Sequence, residues 1–129
     1  MLTFQANAIS AQNDENEVLI IVFADLQENG GPNHYFMIQH TNEYEEQDIK
    51  LDTDTYYIER DDQGFSTYGG IEKISLRPTQ ISIDLDKLGQ KHLAVSKITI
   101  GLALTAETYT HLIQQLKKIF DQKKLHIEL

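Results

Sequence analysis

The chain has 129 residues, no cysteine and a net charge of −9, from 11 basic and 20 acidic side chains. That length suits one hydrophobic core, so a single domain over residues 1–129 is expected. The missing cysteines exclude disulfides, thiolate metal sites and a cysteine nucleophile, and the negative charge argues against nucleic acid as a ligand.

Leu2, Phe4, Ala6 and Ala8 alternate with polar residues, which predicts a first strand with one buried face. Residues 12–16 are polar and turn-like. Val18 to Phe23 is apolar on both faces and rich in β-branched residues, which predicts a mid-sheet strand covered on both sides. Asn29-Gly30-Gly31-Pro32-Asn33 is a turn signal, and His34 to His40 follows as a third strand in a hairpin with the second. Residues 41–54 form a polar, acidic excursion with Ile49 and Leu51 as isolated apolar anchors. Thr55 to Glu59 has strand propensity, and Asp61 to Gly70 reads as a loop.

Ile71 to Arg77 and Gln80 to Leu85 predict an antiparallel hairpin, with Ile74, Leu76, Ile81, Ile83 and Leu85 inward. Asp86 is a candidate N-cap for a short helix to Leu93, with Leu88 and Leu93 inward. Lys97 to Leu104 alternates as a strand, with Ile98, Ile100, Leu102 and Leu104 inward. Thr105 can cap a helix through about Gln122, on which Leu112, Ile113, Leu116, Ile119 and Phe120 form an apolar stripe. Lys117, Lys118, Lys123 and Lys124 sit near its C-terminus, where the helix dipole favours positive charge. Residues 126–129 read as a short edge strand or a loose tail. The expected fold is α+β: a mostly antiparallel sheet of about six or seven strands, a short helix, and a C-terminal helix packed on one face.

The charge is unevenly distributed. Residues 1–70 hold fourteen acids against Lys50 and Arg60, whereas residues 71–129 hold nine bases against six acids. The stretch from Glu43 to Asp62 alone carries nine acids. Such a run is either a solvated loop or a patch that steers a basic partner. Tyr44, Tyr56, Tyr57 and Tyr68 lie in or beside it. Tyrosine suits interfaces because it offers a rigid ring and a polar tip. It equally suits a core, with Tyr56 packing beside Ile58 and Tyr57 half-covering the other face.

Patterns for bond-making chemistry are weak. His34, His40, His92, His111 and His126 lack the spacing of a helical metal motif, and Glu107 with His111 reads as a surface pair. Asp52-Thr53-Asp54 could open a calcium loop, but Tyr57 stands where that loop needs glycine. Gly69-Gly70 lacks the following lysine and hydroxyl of a phosphate loop, and no serine lies in a nucleophile elbow. No cofactor and no metal are expected. Met1 to Asn7 has no basic region followed by an apolar run, and Val18 to Ala24 is too short for a bilayer, so a cytoplasmic location is expected.

The run Asp54-Thr55-Tyr56-Tyr57-Ile58-Glu59, then Asp62-Gln63, then Tyr68-Gly69-Gly70-Ile71-Glu72 resembles the Imm10 family of bacterial immunity proteins. The Ile81-x-Ile83-x-Leu85 strand, Leu88-Gly89 in the small helix, and the closing helix near Ile119-Phe120 agree in order, so the likeness spans about Phe4 to Phe120. The resemblance implies a protein of a polymorphic toxin locus that binds and neutralises a toxin effector, with no catalytic motif. It marks Tyr57, Glu59, Gln63, Tyr68, Gly69, Gly70 and Glu72 as family-typical. Gly69-Gly70 is also what a bend before a strand requires.

The charge and the resemblance together point to a non-enzymatic protein that binds a toxin domain with a basic surface. The expected partner-binding residues are Glu45, Glu46, Asp48, Asp52, Asp54, Tyr57, Glu59, Asp61, Asp62, Gln63, Tyr68 and Glu72. The alternatives are a small-molecule or carbohydrate-binding module with Tyr56, Tyr57 and Tyr68 in a pocket, and an enzyme using carboxylates at 52–62. A third is a self-associating subunit or homodimer, pairing through an edge at Lys97–Leu104 or the tail at 126–129.

Overall fold

Backbone pairing divides the chain between two sheets. The computed structural model describes residues 1–13, 18–28, 31–41 and 56–128. Among these, the strands are β1 (Leu2–Gln5), β2 (Ala8–Asn13), β3 (Val18–Leu26), β4 (Pro32–Thr41), β5 (Tyr57–Arg60), β6 (Asp62–Tyr68), β7 (Ile71–Arg77), β8 (Gln80–Leu85), β9 (Lys97–Gly101) and β10 (Leu125–Ile127). The helices are α1 (Lys87–Leu93) and α2 (Ala106–Lys117). One sheet has the order β1-β9-β8-β7-β10, and the other β2-β3-β4-β5-β6. The α+β class and the predominance of strand agree with the sequence. The single sheet of six or seven strands becomes two sheets of five.

The first departure lies at Ala6 and Asn7. The alternation from Leu2 to Ala8 predicts one strand, yet β1 pairs in parallel with β9 while β2 pairs antiparallel with β3. Ala6 donates its N–H to Gly101 in one sheet, and Asn7 donates its own to Ala24 in the other. The Asn7 amide then bonds both backbone groups of Leu26, donating at 2.9 Å and accepting at 2.8 Å. One side chain thus satisfies the backbone where the chain changes sheets. The buried parity changes at the crossing, from Leu2, Phe4 and Ala6 before it to Ile9 and Ala11 after it, so the even-numbered alternation read through Ala8 does not carry into β2.

The inward residues behave as expected. Leu19, Ile21, Phe23, Phe36, Ile38 and Ile58 from one sheet join Ile74, Leu76, Ile81, Ile83, Ile98 and Ile100 from the other in one buried cluster. Thr105 caps α2 by accepting from Thr108 N–H, and Asp86 caps α1 by accepting from Gly89 N–H. Rather than lying on a sheet face, α2 reaches both sheets at their edges. His111 Nε2 lies 2.9 Å from the Ala11 carbonyl on β2, and the Tyr109 hydroxyl reaches the carbonyls of Leu76 (3.2 Å) and Glu128 beside β10. Leu112, Leu116 and Phe120 of the predicted stripe are buried, but α2 ends at Lys117, with Lys118 and Ile119 closing tighter turns on Gln115 and Leu116.

Three other expectations change. Residues 62–68 form a strand rather than a loop: Asp61 takes φ 63° and turns the chain back into β6. Leu88 is exposed, because Gly89 and Leu93 are the residues α1 turns inward. Lys97 to Gly101 is an inner strand between β1 and β8, so it offers no free edge for self-association. The edge at β10 is the predicted tail strand, and it runs parallel to β7. No helix among the described residues is long and apolar enough to cross a membrane.

Candidate functional site

Strand alternation gives each sheet a second, outward face, and the two faces differ in chemistry. On the β1–β10 sheet, one outward row is Thr3, Thr99, Ser82, Ser75 and His126, and the next sets Lys97, Asp84 and Lys73 side by side. That surface is hydroxyl-rich and charged, with Ser82 itself buried at its centre. On the β2–β6 sheet, one outward row is Ser10, Val22, Met37, Glu59 and Ser66; the next is Gln12, Ile20, Gln39, Tyr57 and Tyr68. Ile20, Val22 and Met37 are half-buried there, so the predicted double covering of β3 holds only for its inner face. A contiguous apolar and aromatic patch on an outward sheet face is the usual mark of an interaction site.

Three tyrosines shape this face around one carboxylate. Glu59 is only 6 % exposed. The Tyr57 hydroxyl donates to its Oε1 at 2.7 Å, and the Tyr35 hydroxyl donates to its Oε2. Tyr57 also meets Tyr68 across the β5–β6 pair, edge to face, with ring centroids 5.3 Å apart. Tyr68 is 49 % exposed, so its ring is the most accessible aromatic surface of the group.

Burial and the Glu59 carboxylate both resist phenolate formation here. The Tyr35 phenol is pushed well above its ordinary value of 10.0, chiefly by burial and then by its hydrogen bond to Glu59 and the charge behind it. Burial likewise raises Tyr57, Tyr56 and Tyr109. A phenol whose folded pKa is raised stabilises the fold fully below pH 10, and that stabilisation is lost as pH rises from 10 through the folded values. Phenolate absorbance should therefore lag behind that of the urea-unfolded chain above pH 10, and unfolding should bring the two together. Coincident titration curves for the folded and unfolded chain would contradict this arrangement.

The expected partner-binding residues separate into groups. Tyr57, Glu59 and Tyr68 share the outward face. Asp61 instead holds the β5–β6 turn: it accepts from Tyr35 N–H at 3.0 Å, pairs with Arg60 at 3.0 Å and lies 3.2 Å from His34 Nδ1. Asp62 and Gln63 are exposed on that turn, with Asp62 accepting from Gly64 N–H and the Gln63 carbonyl accepting from Ser66. Glu72 is exposed, but on β7 of the other sheet. Glu45, Glu46, Asp48, Asp52 and Asp54 lie outside the described residues.

Tyr56 does not join Tyr57 and Tyr68. Its hydroxyl accepts from Ile71 N–H at 2.9 Å and its ring packs on Phe120 at 4.8 Å, inside the core. The three tyrosines therefore do not line one cavity. Tyr35 and Met37 belong to the face although the sequence does not single them out. Their signal is parity: in the β3–β4 hairpin, burying Phe36 and Ile38 forces Tyr35, Met37 and Gln39 outward. Among the described residues, no three histidine or carboxylate side chains converge to hold a metal.

Gly69 and Gly70 serve the scaffold behind this face. Both have positive φ, 73° and 99°, and Gly69 N–H donates to the Tyr56 carbonyl. The Gly70 carbonyl accepts from Asp86 N–H, which brings α1 against the start of β7.

A family model described as Immunity protein 10 (Imm10) matches residues 5–110. No curated protein and no solved structure matches the chain.

Proposed function

Because the chain belongs to the Immunity protein 10 family, we propose that it binds a bacterial toxin domain and blocks it with the outward face of the β2–β6 sheet. One observation carries the choice of face: Ile20, Val22, Met37, Tyr57 and Tyr68 form a half-exposed apolar and aromatic surface on one sheet, while the other sheet turns hydroxyls and paired charges outward. A protein that met only water would gain nothing from this difference. The strands of this sheet lie in residues 8–68, within the acidic half of the chain, so the expected partner surface is basic. The role is occlusion by fit and charge, and it requires no bond-making residue.

The test is calorimetric titration of the purified chain with the toxin domain encoded beside its gene, together with a growth-protection assay. We expect a defined complex, protection, and about 30-fold weaker binding for Tyr68→Ala, the size of an interface hot spot. A complex indifferent to Tyr68→Ala would move the interface elsewhere. Absence of both complex and protection would end the proposal.

A further inference from the structure

A carboxylate this deeply buried is costly unless hydrogen bonds and a counter-charge offset the lost water. Glu59 has the hydrogen bonds, from Tyr35 and Tyr57. The adjacent cation serves other groups. Arg60 Nε donates to the Leu93 carbonyl at 2.7 Å, Nη1 pairs with Asp61 at 3.0 Å, and the guanidinium lies 4.0 Å over the Phe65 ring. Among the described residues, the ion pairs join His34 and Arg60 to Asp61, Arg77 to Glu128 and Lys97 to Asp84, and none reaches Glu59.

The two hydroxyls carry the consequence outward. A phenol that donates to a carboxylate is polarised, and its own oxygen becomes a better acceptor. The charge of Glu59 is thereby expressed at two phenolic oxygens, held against opposite oxygens of one carboxylate. Beside them stands the half-exposed ring of Tyr68, fixed by its edge-to-face contact with Tyr57.

Resting on the protein-binding reading above, we propose that this group is a receptor for one arginine side chain of the partner. The guanidinium lies on the Tyr68 ring, its N–H fork donates to the hydroxyl oxygens of Tyr35 and Tyr57, and Glu59 supplies the compensating charge behind them. Arginine fits better than lysine for three reasons. Its planar fork matches two acceptors, it stacks on an aromatic face, and it sheds water more readily than an ammonium group. An anionic group would meet Glu59 with the wrong sign.

The probe is N-acetyl-arginine amide, with N-acetyl-lysine amide as the comparison. Each is titrated into the full chain while the tyrosine ring resonances are followed by NMR. We expect saturable shifts at Tyr57 and Tyr68, at least threefold tighter binding of the arginine probe, and loss of saturation in Tyr68→Ala and Glu59→Gln. Should Glu59→Gln disturb the fold, Tyr68→Ala carries the test alone, since that ring is half exposed. An equal response to both probes, or shifts at Tyr57 and Tyr68 no larger than at Tyr109 on α2, would overturn the inference. Its failure is separable from that of the functional reading. A chain that captures the toxin domain but not the arginine probe loses only this site. A chain that binds the probe but no toxin domain keeps the site and loses the role.

Discussion

Replacing Gly89 by alanine is expected to lower the melting temperature by about 8 °C, although alanine is the better helix former. A Cβ at this position would stand 2.3 Å from the Gly70 carbonyl oxygen and 3.0 Å from its carbon. The oxygen cannot swing aside freely, because it accepts from Asp86 N–H at the start of the same helix. Nor can Gly70 easily yield, since it sits at φ 99° with its own Cα face against Gly89 and Thr67. Alanine would gain about 1 kcal/mol in helix propensity, against an overpacking cost of about 3 kcal/mol at a rigid backbone contact. The collision wins by about 2 kcal/mol, or roughly 8 °C for a domain of this size. Thermal unfolding followed by circular dichroism checks this, with Gly64→Ala as the control, where the new Cβ meets only the Asp62 side chain, at 3.0 Å. Equal melting of Gly89→Ala and the parent would mean that α1 and the Tyr-Gly-Gly turn are not locked together.

The second large effect is kinetic. Reversing Glu45, Glu46 and Asp48 to lysine should slow association with a basic toxin domain about tenfold or more at low salt. The change removes three negative charges and adds three positive ones in the most acidic part of the chain. Long-range attraction acts before contact, so it appears in the association rate and fades as salt shortens the screening length. Tyr68→Ala should do the reverse, raising the dissociation rate with little effect on association, because a ring acts only once it is touched. Stopped-flow mixing at two ionic strengths separates the pair. An association rate unaffected by the triple reversal would remove the electrostatic part of the proposal and leave the sheet face standing.

The acidic bias of the first seventy residues, the Tyr57–Glu59 and Tyr68–Gly70 runs, and the family they resemble are legible without coordinates. So are the β7–β8 hairpin, the β9 alternation and the caps at Asp86 and Thr105. Each depends on residues a few positions apart, whose spacing or hydrogen bond is set by local geometry. What needed the folded chain was pairing between distant residues. The exchange of sheets at Asn7 depends on Leu26, and the need for glycine at 89 depends on Gly70. The seating of Glu59 between Tyr35 and Tyr57 depends on β4 lying beside β5. A period-two pattern records that one face of a strand is buried; it does not record which strand lies alongside, and register alone decides which outward side chains become neighbours.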